Sequence, residues 1–225
     1  MMNKTKYFER GKASLKALLF LPLAFGAHAE RLPSQPQIST EGEGSGFSLT
    51  ACTHCHGVGG DGNTAEGIPR LRGLPFTYLK EQLQAFASGE RQNPIMNSIA
   101  RTLSADDITH AASFYTQLPP LFQPLGTKDE STNELAVHGR WSENIPPCDD
   151  CHGPEGKGVG ENFPALNGQS ARYLENQLQA FKKGSRPSGP LNLMGNIAKK
   201  LSDADIQTLS RYYSGSSPRD TGGQP

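Results

Sequence analysis

The sequence has few cysteines, few aromatic residues and no long apolar run. Four of its 225 residues are cysteine and 8% are aromatic. The longest apolar stretch, ALLFLPLAFGA near the N-terminus, is about half of the roughly 20 residues that span a bilayer. No window alternates apolar and polar residues well enough to predict a strand. These shortages exclude a membrane-spanning helix and a β-sheet protein.

The N-terminus has the pattern of a secretory signal peptide. Residues 1–16 carry five basic residues and one acidic residue, the apolar stretch follows, and AHA closes it at 27–29. Cleavage after Ala29 would leave 196 residues with 17 basic and 21 acidic side chains, a net charge of about −4. We therefore expect an exported, periplasmic chain, and the lack of basic bias excludes a general nucleic-acid binder.

The chain contains one unit twice. CTHCHG occupies residues 52–57 and CDDCHG occupies residues 148–153, and IPRLRGLPFTYLKEQLQAFASGE after the first is matched by FPALNGQSARYLENQLQAFKKGS after the second. Identical residues recur 95 positions on from Pro69, Leu71, Gly73, Tyr78, Leu79, Gln82, Leu83, Phe86 and Gly89. Further along, IMNSIARTLSADDI pairs with LMGNIAKKLSDADI at an offset of 98, so a short insertion lies between. Such dense identity indicates duplication.

Both copies have helical patterns. Residues 78–86 place one apolar stripe on a helix, which Gly89 ends in the first copy and Gly184 in the second. Ser104 and Ser202 are predicted N-caps, approximating a capping box, of final helices that end near Leu118 and Tyr213. STNELAVHGRWSE predicts another helix ahead of the second motif, whereas EGEGSGFSLTA ahead of the first is glycine-rich and shorter.

These patterns predict an all-α chain with two domains. We expect a signal peptide at 1–29, domains at 30–118 and 133–213, a proline-rich linker at 119–132 and a disordered tail at 214–225. Each domain is small, and only 35% of the residues are hydrophobic, which indicates that something besides side chains fills the two cores.

The cysteine pairs could form a disulfide scaffold, a zinc site, a thioredoxin-type redox pair or haem attachment sites. A zinc ribbon needs its two pairs about 15 to 20 residues apart, and a thioredoxin site needs a βαβ frame. The histidine directly after each second cysteine favours covalent haem, because two thioethers and an adjacent iron ligand match the C-x-x-C-H spacing. We expect thioethers from Cys52, Cys55, Cys148 and Cys151, and iron ligands from His56 and His152.

The predicted sixth ligands are Met96 and Met194. They are the only methionines beyond the leader and lie 40 and 42 residues after the motif histidines, at equivalent places in the two copies. A lone methionine would be a core filler, but a matched pair favours ligation. The other candidates, His54, His110 and His138, have no counterpart in the other copy.

With these motifs, both copies resemble the class I cytochrome c fold, and the tandem chain resembles the dihaem cytochrome c4 family. PALNGQSARYLENQLQAFKKGSR and MGNIAKKLSDADI are the stretches most similar to that family. The resemblance implies that the carbonyls of Pro69 and Pro164 orient the iron-binding histidines. It also implies that Tyr78 and Tyr173 lie near haem propionates. The first copy departs from the pattern at GLPF, residues 73–76.

Histidine–methionine ligation leaves no open iron position and favours a carrier of single electrons over an enzyme. The resemblance implies a periplasmic carrier with two haem c groups between a quinol-oxidising complex and a terminal oxidase. The alternative is an electron-accepting cytochrome subunit of a periplasmic dehydrogenase, for example of the flavocytochrome c type. A dihaem enzyme, such as a peroxidase or thiosulfate-oxidising type, would need a labile ligand. We expect redox proteins as partners and no small-molecule substrate.

The two predicted ligand loops differ in charge. Arg91 and Arg101, offset by Glu90, lie near Met96 in the sequence. A larger basic set near Met194 predicts a docking patch for an acidic partner: Lys182, Lys183, Arg186, Lys199 and Lys200.

Overall fold

A computed structural model describes residues 49–125 and 130–215, and in these ranges the chain is helical. The signal peptide, the first 19 residues of the predicted first domain and nearly all of the predicted tail lie outside the described residues. The helices are α1 Thr50–His56, α2 Phe76–Ser88, α3 Pro94–Ala100, α4 Ala105–Gln117, α5 Glu130–Val137, α6 Cys148–His152, α7 Ala171–Lys183, α8 Leu193–Ala198 and α9 Asp203–Ser214. Short 3₁₀ turns lie at Trp141–Glu143 and Pro154–Gly156.

The described ranges contain only isolated β-bridges, at Asn63 with Ile68, Arg140 with Ile145 and Val159 with Phe163. The all-α prediction is therefore confirmed. None of the described helices is long and apolar enough to cross a bilayer.

The helix boundaries follow from local signals that both repeats share. Gly89 and Gly184 end α2 and α7 in the left-handed conformation, which glycine adopts without strain. Ser104 and Ser202 cap α4 and α9 in full capping boxes, in which Asp107 and Asp205 reach back to the cap residues. The predicted helix ends are confirmed to within a residue or two.

The predicted helix over STNELAVHGRWSE is shorter than expected. Helix α5 ends at Val137, and Gly139 follows with a φ of 72°. A Cβ on Gly139 would lie 2.5 Å from the Ile145 carbonyl oxygen, so the chain turns back on itself here instead of continuing the helix. Helix α5 begins at Glu130, and residues 126–129 of the predicted linker lie outside the described residues.

Each repeat has its own hydrophobic core, and the first cysteine of each motif packs against it. Cys52 lies on a cluster that includes Leu49, Leu79 and Phe114. Cys148 lies on the equivalent cluster around Ile145 and Ile206. The attachment helices are thus fixed to the cores of their repeats.

Candidate haem sites

Helices α1 and α6 place the two attachment motifs identically. Cys52, Cys55 and His56 lie on α1, and Cys148, Cys151 and His152 lie on α6. Both helices end directly after the histidine, at glycines with φ of 79° and 77°. Both histidine side chains are buried.

The two histidines are held in the tautomer that a metal requires. Nδ1 of His56 donates to the Pro69 carbonyl oxygen at 2.8 Å, and Nδ1 of His152 donates to that of Pro164 at the same distance. Burial lowers the pKa of both imidazoles, so the neutral ring is favoured. A neutral ring that donates from Nδ1 has an unprotonated Nε2 as its free ligand atom. The predicted contacts to the two prolines are confirmed.

In the first repeat, the predicted ligands meet at one cavity. A cavity of about 370 Å³ is lined by Cys52, Cys55, His56 and Met96 together with apolar side chains of the core. Its wall therefore combines two thiols, an imidazole and a thioether, the donor set that haem c uses. In the second repeat, α8 carries the half-buried Met194 and packs against α7, as α3 packs against α2.

The helices that carry the two methionines, α3 and α8, begin with different capping contacts. The Asn93 side chain caps α3 by accepting from the Met96 backbone N–H at 2.9 Å, and Pro94 follows at the first turn. In the second repeat, Asn192 has a φ of 46° and makes no side-chain cap. Ser188, in the segment between Arg186 and Leu193 that is three residues longer than its counterpart, instead accepts from the Gly195 backbone N–H at 3.2 Å.

The repeats meet through a reciprocal arginine cluster. Arg91 donates to Gln82 of its own repeat at 2.7 Å, and to Tyr173 at 2.9 Å and Gln177 at 2.7 Å of the other. Arg186 makes the equivalent contacts from the other side: it donates to Gln177 of its own repeat at 2.8 Å, and to Tyr78 at 3.1 Å and Gln82 at 3.0 Å of the first repeat. The guanidinium carbons lie 4.4 and 4.5 Å from the ring centres of Phe86 and Phe181. We use the name arginine cluster for the six polar residues that make these hydrogen bonds: Tyr78, Gln82, Arg91, Tyr173, Gln177 and Arg186.

The arginine cluster brings positive charge to the cavity wall. Both arginines are buried and line the cavity, and among residues 49–125 and 130–215 neither forms a salt bridge with a carboxylate. Buried charge without a counter-ion is costly, so the site suits a ligand that has acidic groups of its own, as haem does. Tyr78 and Tyr173 also line the cavity.

The arginines act on the tyrosines between them. Burial raises the pKa of Tyr78. Burial also acts to raise that of Tyr173, but the charges of Arg91 and Arg186 outweigh it and lower the pKa to about 8. The two guanidiniums thus favour loss of one proton from the pair, and the resulting charge opposes loss of the second.

Sequence reasoning missed the arginine cluster and assigned one of its members wrongly. Arg186 was placed in the docking patch, but it is buried between the repeats. Lys182 is half-buried and donates to the Leu201 carbonyl oxygen at 2.8 Å, whereas Lys183 and Lys199 are exposed. The signal was available, because Arg91 and Arg186 are themselves 95 residues apart, like the tyrosines and glutamines that they bind.

The three unmatched histidines lie away from the predicted ligand set. His54 and His138 are exposed, and His110 lies half-buried on α4. None of the three lines the cavity.

Comparison with known proteins gives a matching family model and similar chains. The family model described as "Cytochrome c" matches twice, over residues 43–119 and 147–214. A "Thiosulfate dehydrogenase electron acceptor" of Thiomonas intermedia is 46% identical, covering 72% of this chain and 76% of the relative. A protein of the same name from Stutzerimonas stutzeri is 39% identical, covering 93% of this chain and 96% of the relative.

Two solved structures share the fold. Reduced cytochrome c4 from Pseudomonas stutzeri aligns with a TM-score of 0.68 at 31% identity, covering 75% of this chain and 94% of that one. A thiosulfate dehydrogenase from Marichromatium purpuratum aligns with a TM-score of 0.68 at 36% identity over 72% of this chain. The match spans only 36% of that longer chain.

Proposed function

Because the chain belongs to the cytochrome c family, as a tandem dihaem protein of the cytochrome c4 group, we propose that it accepts electrons from a thiosulfate dehydrogenase. It is an electron carrier with two covalently bound haem c groups. The choice of a thiosulfate dehydrogenase as the donor rests on the names of the two relatives described above. The thiosulfate dehydrogenase structure supports it, because part of that longer chain has this fold.

The stoichiometry suits such a donor. Joining two thiosulfate ions through a new sulfur–sulfur bond releases two electrons and no protons. Two iron centres that each change by one electron store both in a single chain. The chain needs no co-reactant to accept them.

We propose the following roles for the site residues. Cys52, Cys55, Cys148 and Cys151 form the thioethers. His56 with Met96, and His152 with Met194, bind the two irons. When bound, haem supplies a one-electron iron couple, and methionine ligation raises its potential. The protein fixes the imidazoles through the proline carbonyls and excludes water with its apolar core.

The cellular setting is also part of the proposal. The predicted leader would export the chain to the periplasm, with cleavage after Ala29. From there the chain would pass electrons on to a terminal oxidase. Delivery of electrons by a quinol-oxidising complex is a second candidate, favoured by the likeness to cytochrome c4.

The test compares the two donors directly. The oxidised dihaem protein is mixed anaerobically with a catalytic amount of thiosulfate dehydrogenase from an organism that carries one of the relatives, and thiosulfate is then added. We expect both haems to become reduced within seconds, with one chain reduced per two thiosulfate ions. A quinol–cytochrome c reductase with its quinol serves as the competing donor.

Two results bear against the proposal. Reduction by the quinol complex alone would replace the thiosulfate donor by the respiratory one. Equal rates with an unrelated monohaem cytochrome c in place of this protein would show that the dehydrogenase does not recognise this chain.

A further inference from the structure

The two attachment loops differ in charge at equivalent positions. The first reads CTHCH and the second CDDCH, so Asp149 stands where the first repeat has Thr53. Both residues lie on the short helix that carries the cysteines, directly after the first cysteine. Because that cysteine is the predicted haem attachment point, each of these residues is one peptide unit from a thioether.

Asp149 is tied down by two hydrogen bonds. The Tyr213 hydroxyl donates to Oδ1 at 2.8 Å, and the Glu155 backbone N–H donates to Oδ2 at 3.0 Å. Both oxygens therefore accept, as those of an ionised carboxylate do. The charge is held in one place beside Cys148 instead of moving freely in solvent.

The first repeat keeps the tyrosine and lacks the carboxylate. Tyr115 packs against Gly60 as Tyr213 packs against Gly156: a Cβ on either glycine would lie within 2.8 Å of the tyrosine ring. The Tyr115 hydroxyl is buried on the cavity wall and has no hydrogen-bond partner among the described residues. Thr53 instead donates to the Thr50 carbonyl oxygen at 3.1 Å.

Neighbouring charges increase the asymmetry. Near the second loop, Asp150 is exposed, and Glu155 pairs with Lys157 at 2.6 Å. Near the first loop, Asp61 pairs with Arg72 at 2.7 Å. The second attachment region thus carries the charge of Asp149 and the weaker effect of Asp150, which solvent and salt screen because it is exposed. The same screening weakens the lysines near Met194 in the sequence, which are exposed or at the surface.

We propose that Asp149 lowers the reduction potential of the second haem below that of the first, so that the first electron comes to rest in the N-terminal repeat. A fixed negative charge stabilises ferric iron over ferrous iron. At an effective dielectric constant of about 20 and a separation of about 10 Å, one charge changes an equilibrium constant by roughly tenfold. The inference rests on the presence of two haems and not on the identity of the donor.

The internal step is a single electron transfer. With both haems bound, one electron would pass from the iron held by His152 to the iron held by His56, so that the first would be oxidised and the second reduced, with no bond or proton exchanged. Reduction of the second haem then requires a second electron from the donor. The order of filling is therefore a property of this chain alone.

The test is a spectroelectrochemical titration of purified dihaem protein. In Asp149→Asn, we expect the lower midpoint to rise, with the internal equilibrium constant falling about tenfold, equivalent to about 59 mV for one electron. Asp149→Thr, which restores the side chain of the first repeat, should act in the same direction. The higher midpoint should stay within error in both variants.

The matched substitution in the first repeat is Thr53→Asp. It should lower the higher midpoint and leave the lower one in place, which distinguishes the haems without a separate assignment. Glu81→Gln, at an exposed carboxylate on α2, is the control and should move neither midpoint. Unchanged haem content and visible spectra show that each variant is folded.

Two outcomes overturn the inference. If Asp149→Asn moves the higher midpoint, the second haem is the stronger oxidant and the order of filling is reversed. If neither midpoint moves, the charge at Asp149 does not tune the potential. A failure of thiosulfate to reduce the protein would contradict the proposed donor and leave these titrations unaffected.

Discussion

The two repeats agree wherever a residue is proposed to hold haem or joins the repeats, and they differ around those points. The cysteines, histidines, methionines and the arginine cluster recur in both copies. The residue after the first cysteine, the length of the methionine loop and the cap of the methionine helix do not. The comparison indicates that duplication preserved two similar carriers, while changes nearby made their electrostatic surroundings unequal.

Removing the attachment residues of one repeat should produce the largest effect. Cys148→Ser with Cys151→Ser should reduce the covalent haem content from two to one per chain, and Cys52→Ser with Cys55→Ser should do the same for the first repeat. Because haem fills the core of a small domain, the affected repeat should also lose helix. Haem-to-protein ratio and far-ultraviolet circular dichroism measure both. Two remaining covalent haems in either variant would contradict the assignment.

Removing one methionine should open one iron and leave the other closed. Met96→Ala or Met194→Ala should lower the potential of its own haem and let carbon monoxide bind there alone. The visible spectrum of the reduced protein with carbon monoxide counts the open haems. A variant in which neither haem binds carbon monoxide would mean that another side chain provides the sixth ligand.

Removing one arginine should destabilise the junction equally from either side. Arg91→Gln and Arg186→Gln each remove a buried guanidinium together with its three hydrogen bonds. We expect each substitution to lower the free energy of unfolding by roughly 2–3 kcal/mol. Arg101→Gln, an exposed position in the first repeat, is the control and should change it by less than about 0.5 kcal/mol. Denaturant unfolding measures the difference. A large effect at Arg101, or none at the buried pair, would argue against the junction.

Reversing the charge of the exposed lysines near Met194 in the sequence should give the smallest of these effects. Lys183→Glu with Lys199→Glu should slow electron exchange with an acidic partner several-fold at low ionic strength and leave the spectra unchanged. Lys182 is left intact because it also binds Asp203 at 3.0 Å. Stopped-flow rates across a salt series measure the effect. Unchanged rates with every candidate donor and acceptor would show that these lysines do not steer docking.

Local signals in the sequence predicted the helices well. Glycine stops and serine capping boxes act within a few residues, so their outcome depends little on the tertiary fold. The helix before the second motif is shorter than predicted, because Gly139, with a φ of 72°, is a stop signal of the same kind as Gly89 and Gly184 and lies inside the stretch predicted as helix. The proline contacts of the two histidines came from the family resemblance and are present in the structure.

The junction between the repeats could not be predicted from charge patterns. Arg91 and Arg186 look like surface residues in a charged stretch, and only the tertiary fold brings each beside a tyrosine of the other repeat. The partner of Asp149 was missed for the same reason, since Tyr213 lies 64 residues away. Repeat offsets find such residues as identical pairs, but they do not show what those residues contact.

We propose that histidine and methionine fill both axial iron positions in each repeat and that the chain only carries electrons. Exposure of the intact, fully reduced protein to carbon monoxide tests this most directly. We expect no spectral change at either haem over minutes, since the proposed histidine and methionine ligands would leave no open iron position in either repeat. Rapid binding at one or both haems would contradict it and would indicate an open iron site, as a dihaem enzyme requires.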